Sequence, residues 1–200
     1  GIKWPLSFFY ANVLPVILVS ALAANIQLFA GLLDNWLGHP TFLGTFSQGV
    51  PISGFSFWIY QVNLLDLLAT GRIVLVNLIQ ALGHILFYVV FSAIFAMFWI
   101  KTSGMDASSQ ARNIMASGLQ IPGFRKDERV LESILKRYIM PLTIMGGAAV
   151  GLLASGADLL GAIGSGTGIL LAVMIIYQLY NSIAKQHAVD MHPALKKLSS

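Results

Sequence analysis

Apolar residues along this chain gather into four long stretches, at about Val13–Leu33, Ile73–Ile100, Ile139–Ile163 and Ile169–Ile183. A helix needs roughly 20 residues to cross hydrocarbon, and most of these stretches reach or approach that length. The pattern predicts four membrane-spanning helices, about 12–34, 73–100, 139–163 and 166–187. The fourth spans only if it begins near Gly166 or runs on past Ala184. Between and after them lie a connector over 35–72, a loop over 101–138 and a tail over 188–200. None of the stretches reads as a cleaved leader, since the first is led by a single Lys3 and has no short apolar core ending in small residues.

Polar positions inside the apolar stretches are few. Pro15 stands in or near the first turn of the first span, where its missing N–H has no intrahelical partner in any case. Asn25 and Gln27 follow well inside that span and are expected to face protein or water, because an unsatisfied amide in lipid is costly. In the second span Asn77, Gln80 and His84 are spaced by three and four residues and so share one helical face. The third carries Gly146, Gly147, Gly151, Ser155 and Gly156, and the Gly147–Gly151 spacing predicts close backbone approach to a neighbouring helix.

The connectors read differently. Gly38, Pro40, Gly44, Gly49, Pro51 and Gly54 break up the 35–72 segment, while Phe55, Phe57, Trp58 and Tyr60 suit a structured segment at a membrane interface. The 101–138 loop reads as a helical hairpin. Asp106 can cap a first helix through about Ser117, and Asp127 a second in which Glu132 and Lys136 form an i, i+4 pair. Its tip, Gly118–Lys126, joins helix breakers to Phe124, Arg125 and Lys126. An exposed aromatic with two cations suits a phosphate backbone or an acidic protein surface; a solvated basic loop is the plainer reading from composition alone.

Composition narrows the class. The chain is 56% hydrophobic and 10% charged, against roughly a quarter charged in soluble domains. With no cysteine, disulfides, thiolate nucleophiles and cysteine metal sites are excluded. The net charge of +4 is unevenly placed. With the connectors taken as 1–12, 34–72, 101–138, 164–168 and 184–200, Lys3, then Lys101, Arg112, Arg125, Lys126, Arg129, Lys136 and Arg137, then Lys185, Lys196 and Lys197 fall in the first, third and fifth, and Arg72 alone falls on the other side. Basic residues collect in short cytoplasmic connectors, so both termini and the 101–138 loop are expected to be cytoplasmic and the 35–72 connector external.

Candidate chemistry is sparse. His84 as metal ligand or proton relay is outweighed by a simple buried contact, because no second histidine or carboxylate lies near it in sequence. Gly164–Gly168 lacks the Lys and Ser/Thr of a phosphate loop, with Ile169 and Leu170 in their place. No acid–base or nucleophile–base arrangement can be assembled, Asp158 standing near the external end of its span, so an enzyme is not expected, nor any cofactor or metal. Ion-coupled transport is weakly supported for lack of mid-membrane ionisable groups.

Ordered strings then carry a resemblance. SFFYANVLPVILVSALAANIQ at Ser7–Gln27, FWIKTSG at Phe98–Gly104, GFRK at Gly123–Lys126, LKRYIMPLT at Leu135–Thr143, GSGTGILL at Gly164–Leu171 and MHPAL at Met191–Leu195 are similar, in family order, to the C-terminal part of the SecY family, archaeal type. The 35–72 connector matches only loosely. The resemblance implies an all-α membrane protein whose four transmembrane helices form part of the C-terminal half of a SecY-type protein-conducting channel, the seventh to tenth helices of that fold. It implies that Ile17 and Leu171 belong to an apolar pore ring, that Asn25 lies at the lateral gate, and that Arg125 and Lys126 dock ribosomes on their RNA. An apolar constriction dewets and resists ions while its side chains yield to a passing chain.

The partners implied are the N-terminal half of the channel, a SecE-like (gamma-type) subunit, a Sec-beta-like subunit, the ribosome, nascent polypeptides with their signal sequences, and the lipid bilayer. The implied location is an archaeal plasma membrane, crossed several times. Four helices cannot enclose such a pore, so a fragment, or one piece of a complex completed by another chain, is expected. Two alternatives remain at this stage: a small-molecule transporter, for which Asn77, Gln80 and His84 are the candidate site, and a membrane scaffold without a pore.

Overall fold

The structure, a computed structural model, describes residues 13–116, 128–161 and 166–191. Helix α1 runs Leu14–Leu37, with proline at its start and Gly38 closing it by an N–H to the Asp34 carbonyl. Two-residue strands β1 (Phe46–Ser47) and β2 (Val50–Pro51) form an antiparallel hairpin, Phe46 opposite Pro51. Short helices α2 (Phe55–Ile59) and α3 (Leu64–Ala69) follow. Then come α4 (Leu75–Thr102), α5 (Ala107–Ala116), α6 (Glu128–Leu159) and α7 (Gly166–Met191).

Three of these, α1, α4 and α6, are long and apolar enough by length and composition to cross a membrane, counted over the described residues. Helix α7 has 26 residues, also more than a bilayer requires, with its continuous described apolar run at Gly168–Tyr177. The helix ends shift by a few residues from those expected, and one difference is larger. The second helix expected for the 101–138 loop and the expected third span are a single element, α6, which continues through Pro141. Proline gives up one backbone hydrogen bond at that position, and a 32-residue helix with a packed face sustains the loss.

The largest interface joins α4 to α6. In lipid, burial of apolar side chains gives helices little reason to associate, so close packing and interhelical hydrogen bonds must hold them. Both are present. A Cβ on Gly151 would stand 2.6 Å from the Tyr88 carbonyl oxygen, and one on Gly147 would stand 2.8 Å from the Ala96 Cβ. Ser92 Oγ donates to the Gly147 carbonyl at 2.7 Å. The glycine pair read from the sequence is thus the surface on which α4 lies.

The 35–72 connector folds back onto this pair. Phe46 N–H donates to Asp34 Oδ2 at 2.8 Å, fixing the β-hairpin to the end of α1. Gly54, at φ +78°, lets the chain cross close over Gly44, where a Cβ would collide. Phe55 then meets Phe87 edge to face, with centroids 6.3 Å apart, and Trp58 covers Gly83. Ile59 is 1% exposed, placed among α1, α4 and α6 in the main apolar cluster.

Candidate functional site

That cluster is where buried apolar residues of the long helices gather. Val16, Val19 and Ala23 of α1, Phe87 and Tyr88 of α4, Val150 and Ala154 of α6 and Leu170 of α7 form it, and Leu171 packs against it. Ile17, on the neighbouring position of α1, is half-buried and stands outside the cluster, its carbonyl accepting from Ser20 Oγ at 3.0 Å. Leu171 thus packs on this cluster, of which Ile17 is not a member. Asn25 is exposed, and its Nδ2 donates to the Ala21 carbonyl of its own helix at 2.8 Å, which satisfies half of the amide without a partner helix. Gln27 lines a cleft of about 320 Å³ together with Ser20, Gln61, Asn63, His84 and Tyr88, so it faces protein and not lipid.

The polar stripe of α4 has a structural explanation. Gln80 Nε2 donates to the Phe57 carbonyl at 2.9 Å, and His84 Nδ1 lies 2.7 Å from the Ile59 carbonyl. A five-residue helix leaves its last carbonyls without intrahelical partners, and these side chains supply them. Gln80 and His84 are thus engaged with main chain, which weakens the transporter reading that used them as a substrate site. Among the described residues, no group of three or more His, Asp or Glu is placed to hold a metal ion.

One expectation fails here. No acid–base pair was expected, yet the fold brings Asp158 Oδ2 to 3.6 Å from His84 Nε2, both side chains being almost fully buried. The antiparallel run of α4 and α6 sets residue 88 against 151 and 92 against 147, and continuing that register carries 158 to the level of 81–84. Distance in sequence concealed this, because the two residues are 74 positions apart, 158 minus 84. The signal that could have found them was their shared depth near one end of their spans.

At the opposite end, Asp106 caps α5, its Oδ2 accepting from Ser109 N–H at 3.4 Å. The Ser109 side chain, hydrogen-bonded to this carboxylate, holds its pKa below the usual aspartate range, against the opposing effect of burial. Glu132 and Lys136 form no salt bridge; among the described residues the hairpin is joined by Arg112 Nε to Glu128 Oε1 at 3.4 Å, both exposed. Residues four apart can approach, but an exposed pair gains too little to fix two long side chains. Helix α5 instead packs Ala111 and Ile114 on Leu131 of α6. Arg125, Lys126 and Asp127 lie outside the described residues.

The family model for SecY matches residues 2–180. Proteins named protein translocase subunit SecY are similar over 98% of this chain: 45% identical in Pyrococcus furiosus, covering 41% of that protein, and 42% identical in Haloferax volcanii, covering 42%. The relative from Methanococcus vannielii is 41% identical over 98% of this chain and 43% of its own length. The chain thus spans about two fifths of the length of the curated relatives it matches.

Proposed function

The chain belongs to the SecY family, and from that premise we propose that it supplies pore wall, one side of the lateral gate and a ribosome-docking loop to a channel for secretion and membrane-protein insertion. The observation that carries the reading is the similarity, over 98% of this chain, to proteins named as translocase subunits. It is supported by three helices, among the described residues, that are long and apolar enough to cross a membrane.

In this reading Ile17 and Leu171 contribute to an apolar constriction, where side chains seal against ions by dewetting and give way to a polypeptide. Asn25, exposed and with its Nδ2 bonded within its own helix, keeps a polar atom available at the gate, where it helps set how hydrophobic a segment must be before it leaves for lipid. Arg125 and Lys126 meet ribosomal RNA phosphates. The basic connectors lie in the cytoplasm together with both termini. The chain carries out no chemistry of its own, and a partner such as the translating ribosome drives transport. The remaining wall comes from the N-terminal half of the channel, held by a SecE-like clamp helix with a Sec-beta-like subunit alongside, in an archaeal plasma membrane.

The test is ion leak through the complete channel in a planar bilayer. Ile17→Gly or Leu171→Gly, and more so Ile17→Asp, raise resting conductance if the two side chains close a pore. Unchanged conductance in all three removes the ring and favours a membrane scaffold.

A further inference from the structure

A cavity of about 460 Å³ opens where the end of α4, the start of α5 and α6 meet. Its lining is divided in character. Met97 and Ile100 of α4 and Ile139 and Met140 of α6 are apolar, and Thr143 beside them donates its hydroxyl to the Ile139 carbonyl of its own helix at 2.6 Å, so this part asks for no polar partner. Lys101, Asp106, Glu132 and Lys136 supply the charged part. On both long helices the charges stand toward the 101–138 loop, at 101 after 97 and 100 on α4, and at 132 and 136 before 139 and 140 on α6. In a bilayer crossed by α4 and α6 the cavity therefore straddles the boundary between hydrocarbon and headgroups.

The charges are left for an outside partner. Asp106 is engaged with the start of α5, where it accepts from Ser109 N–H, and Ser108 Oγ accepts from Arg112 at 3.0 Å. Lys101, Lys136 and Glu132 line the same cavity yet make no ion pair among the described residues. Two ammonium groups and a carboxylate thus stand ready for charge-assisted hydrogen bonds with one ligand that carries both signs.

The apolar part also continues outward. Lys136 and Met140 are shared with an open groove of about 690 Å³ along α6, which Pro141, Ile144 and Met145 extend, with Ser133 and Arg137 at its polar end. Met140, Ile144 and Met145 are all exposed. An apolar chain leaving the cavity past Met140 has a path along the spanning part of α6, for which a small soluble phosphate ester has no use.

We propose that this cavity binds one membrane lipid with a phosphoethanolamine-type headgroup. Lys101 and Lys136 take the phosphodiester, Glu132 takes the primary ammonium, and the tails lie over Met97 and Met140 and then over Ile144 and Met145. The cavity's own charges, two lysines against Asp106 and Glu132, cancel, which favours a zwitterion over a net anion. A quaternary headgroup has no N–H to give Glu132. A lipid so held ties the end of α4 to α5 and α6 at the base of the 101–138 loop. The inference needs only that α4 and α6 cross a membrane, and it stands whether or not they line a channel.

Native mass spectrometry of the full-length protein tests it, in non-ionic detergent titrated with dioleoyl phosphatidylethanolamine, phosphatidylcholine or phosphatidylglycerol. The ethanolamine lipid is expected to bind most tightly, and its affinity to fall about ten-fold in the Lys101→Ala, Lys136→Ala double variant. Both lysines are exposed, so these changes leave the fold in place. Glu132→Gln is expected to keep lipid binding while losing an about three-fold preference for ethanolamine over choline. Retention of the ethanolamine lipid unchanged in the double variant overturns the proposal, as does a preference that survives Glu132→Gln. Tighter binding of phosphatidylglycerol at the lysine-dependent site overturns it too. Glycerophosphoethanolamine, the same headgroup without tails, is expected not to compete; displacement of the lipid at equal concentration would make this a site for a soluble phosphate ester and overturn the lipid assignment.

Discussion

Ser92 hydroxyl donates to the carbonyl of Gly147 at 2.7 Å, across the interface of α4 and α6. The bond is possible only because position 147 has no side chain: the Ala96 Cβ already stands 2.8 Å from where a Cβ would be. Polar contact and close approach are thus one feature. Each interhelical hydrogen bond of this kind contributes about 0.6 kcal/mol on average and up to about 1.7 kcal/mol. The glycines add the dispersion contacts that a wider spacing forfeits.

Gly151→Ala is expected to destabilise by about 1–3 kcal/mol, because the new methyl meets the backbone carbonyl of Tyr88 at 2.6 Å and backbone yields poorly. Gly156→Ala is the control on the same helix, with nothing within 4 Å of its Cβ, and is expected to be neutral or slightly stabilising. Thermal unfolding of the two variants in detergent checks the contrast; equal losses would mean that helix propensity and not the interface sets the outcome.

This packing was legible in the sequence, since a small-residue spacing in an apolar helix has few other uses. The polar stripe of α4 was legible as a stripe, but its partners were not. Gln80 and His84 bind carbonyls of Phe57 and Ile59, and the course of that connector depends on tertiary folding around Gly44 and Gly54. The pairing of His84 with Asp158 was hidden by their separation in sequence, since it depends on the register in which α4 and α6 pack. The roles of Ile17, Leu171 and Asn25 rest on family resemblance, because in an apolar helix a pore-facing isoleucine and a packed one look alike.

Asp106→Ala is expected to loosen the start of α5 by about 1 kcal/mol, the usual cost of losing a capping carboxylate. The pH dependence has a definite sign. Hydrogen bonding holds this carboxylate's pKa below its unfolded value, so its contribution is present above the unfolded pKa and is lost as pH falls through the folded one. Amide exchange of residues 107–116 in acid checks this: the wild type should open on acidification and the alanine variant should show no such step.

Arg125→Glu with Lys126→Glu is expected to abolish co-sedimentation of the full-length protein with ribosomes, while either single change weakens it and makes its loss with added salt shallower. Phosphate contacts release counterions, so docking by these cations must weaken as ionic strength rises. Binding that survives the double reversal would assign docking to another surface.

The most direct test of the channel assignment is site-specific photocrosslinking to a stalled secretory chain in the complete, ribosome-engaged complex. A photoreactive residue at Ile17 or at Leu171 is predicted to crosslink to the translocating polypeptide, while one at Leu86, an exposed position of α4, crosslinks to lipid. Absence of polypeptide adducts at both Ile17 and Leu171, with translocation otherwise active, would contradict a pore lined by these helices.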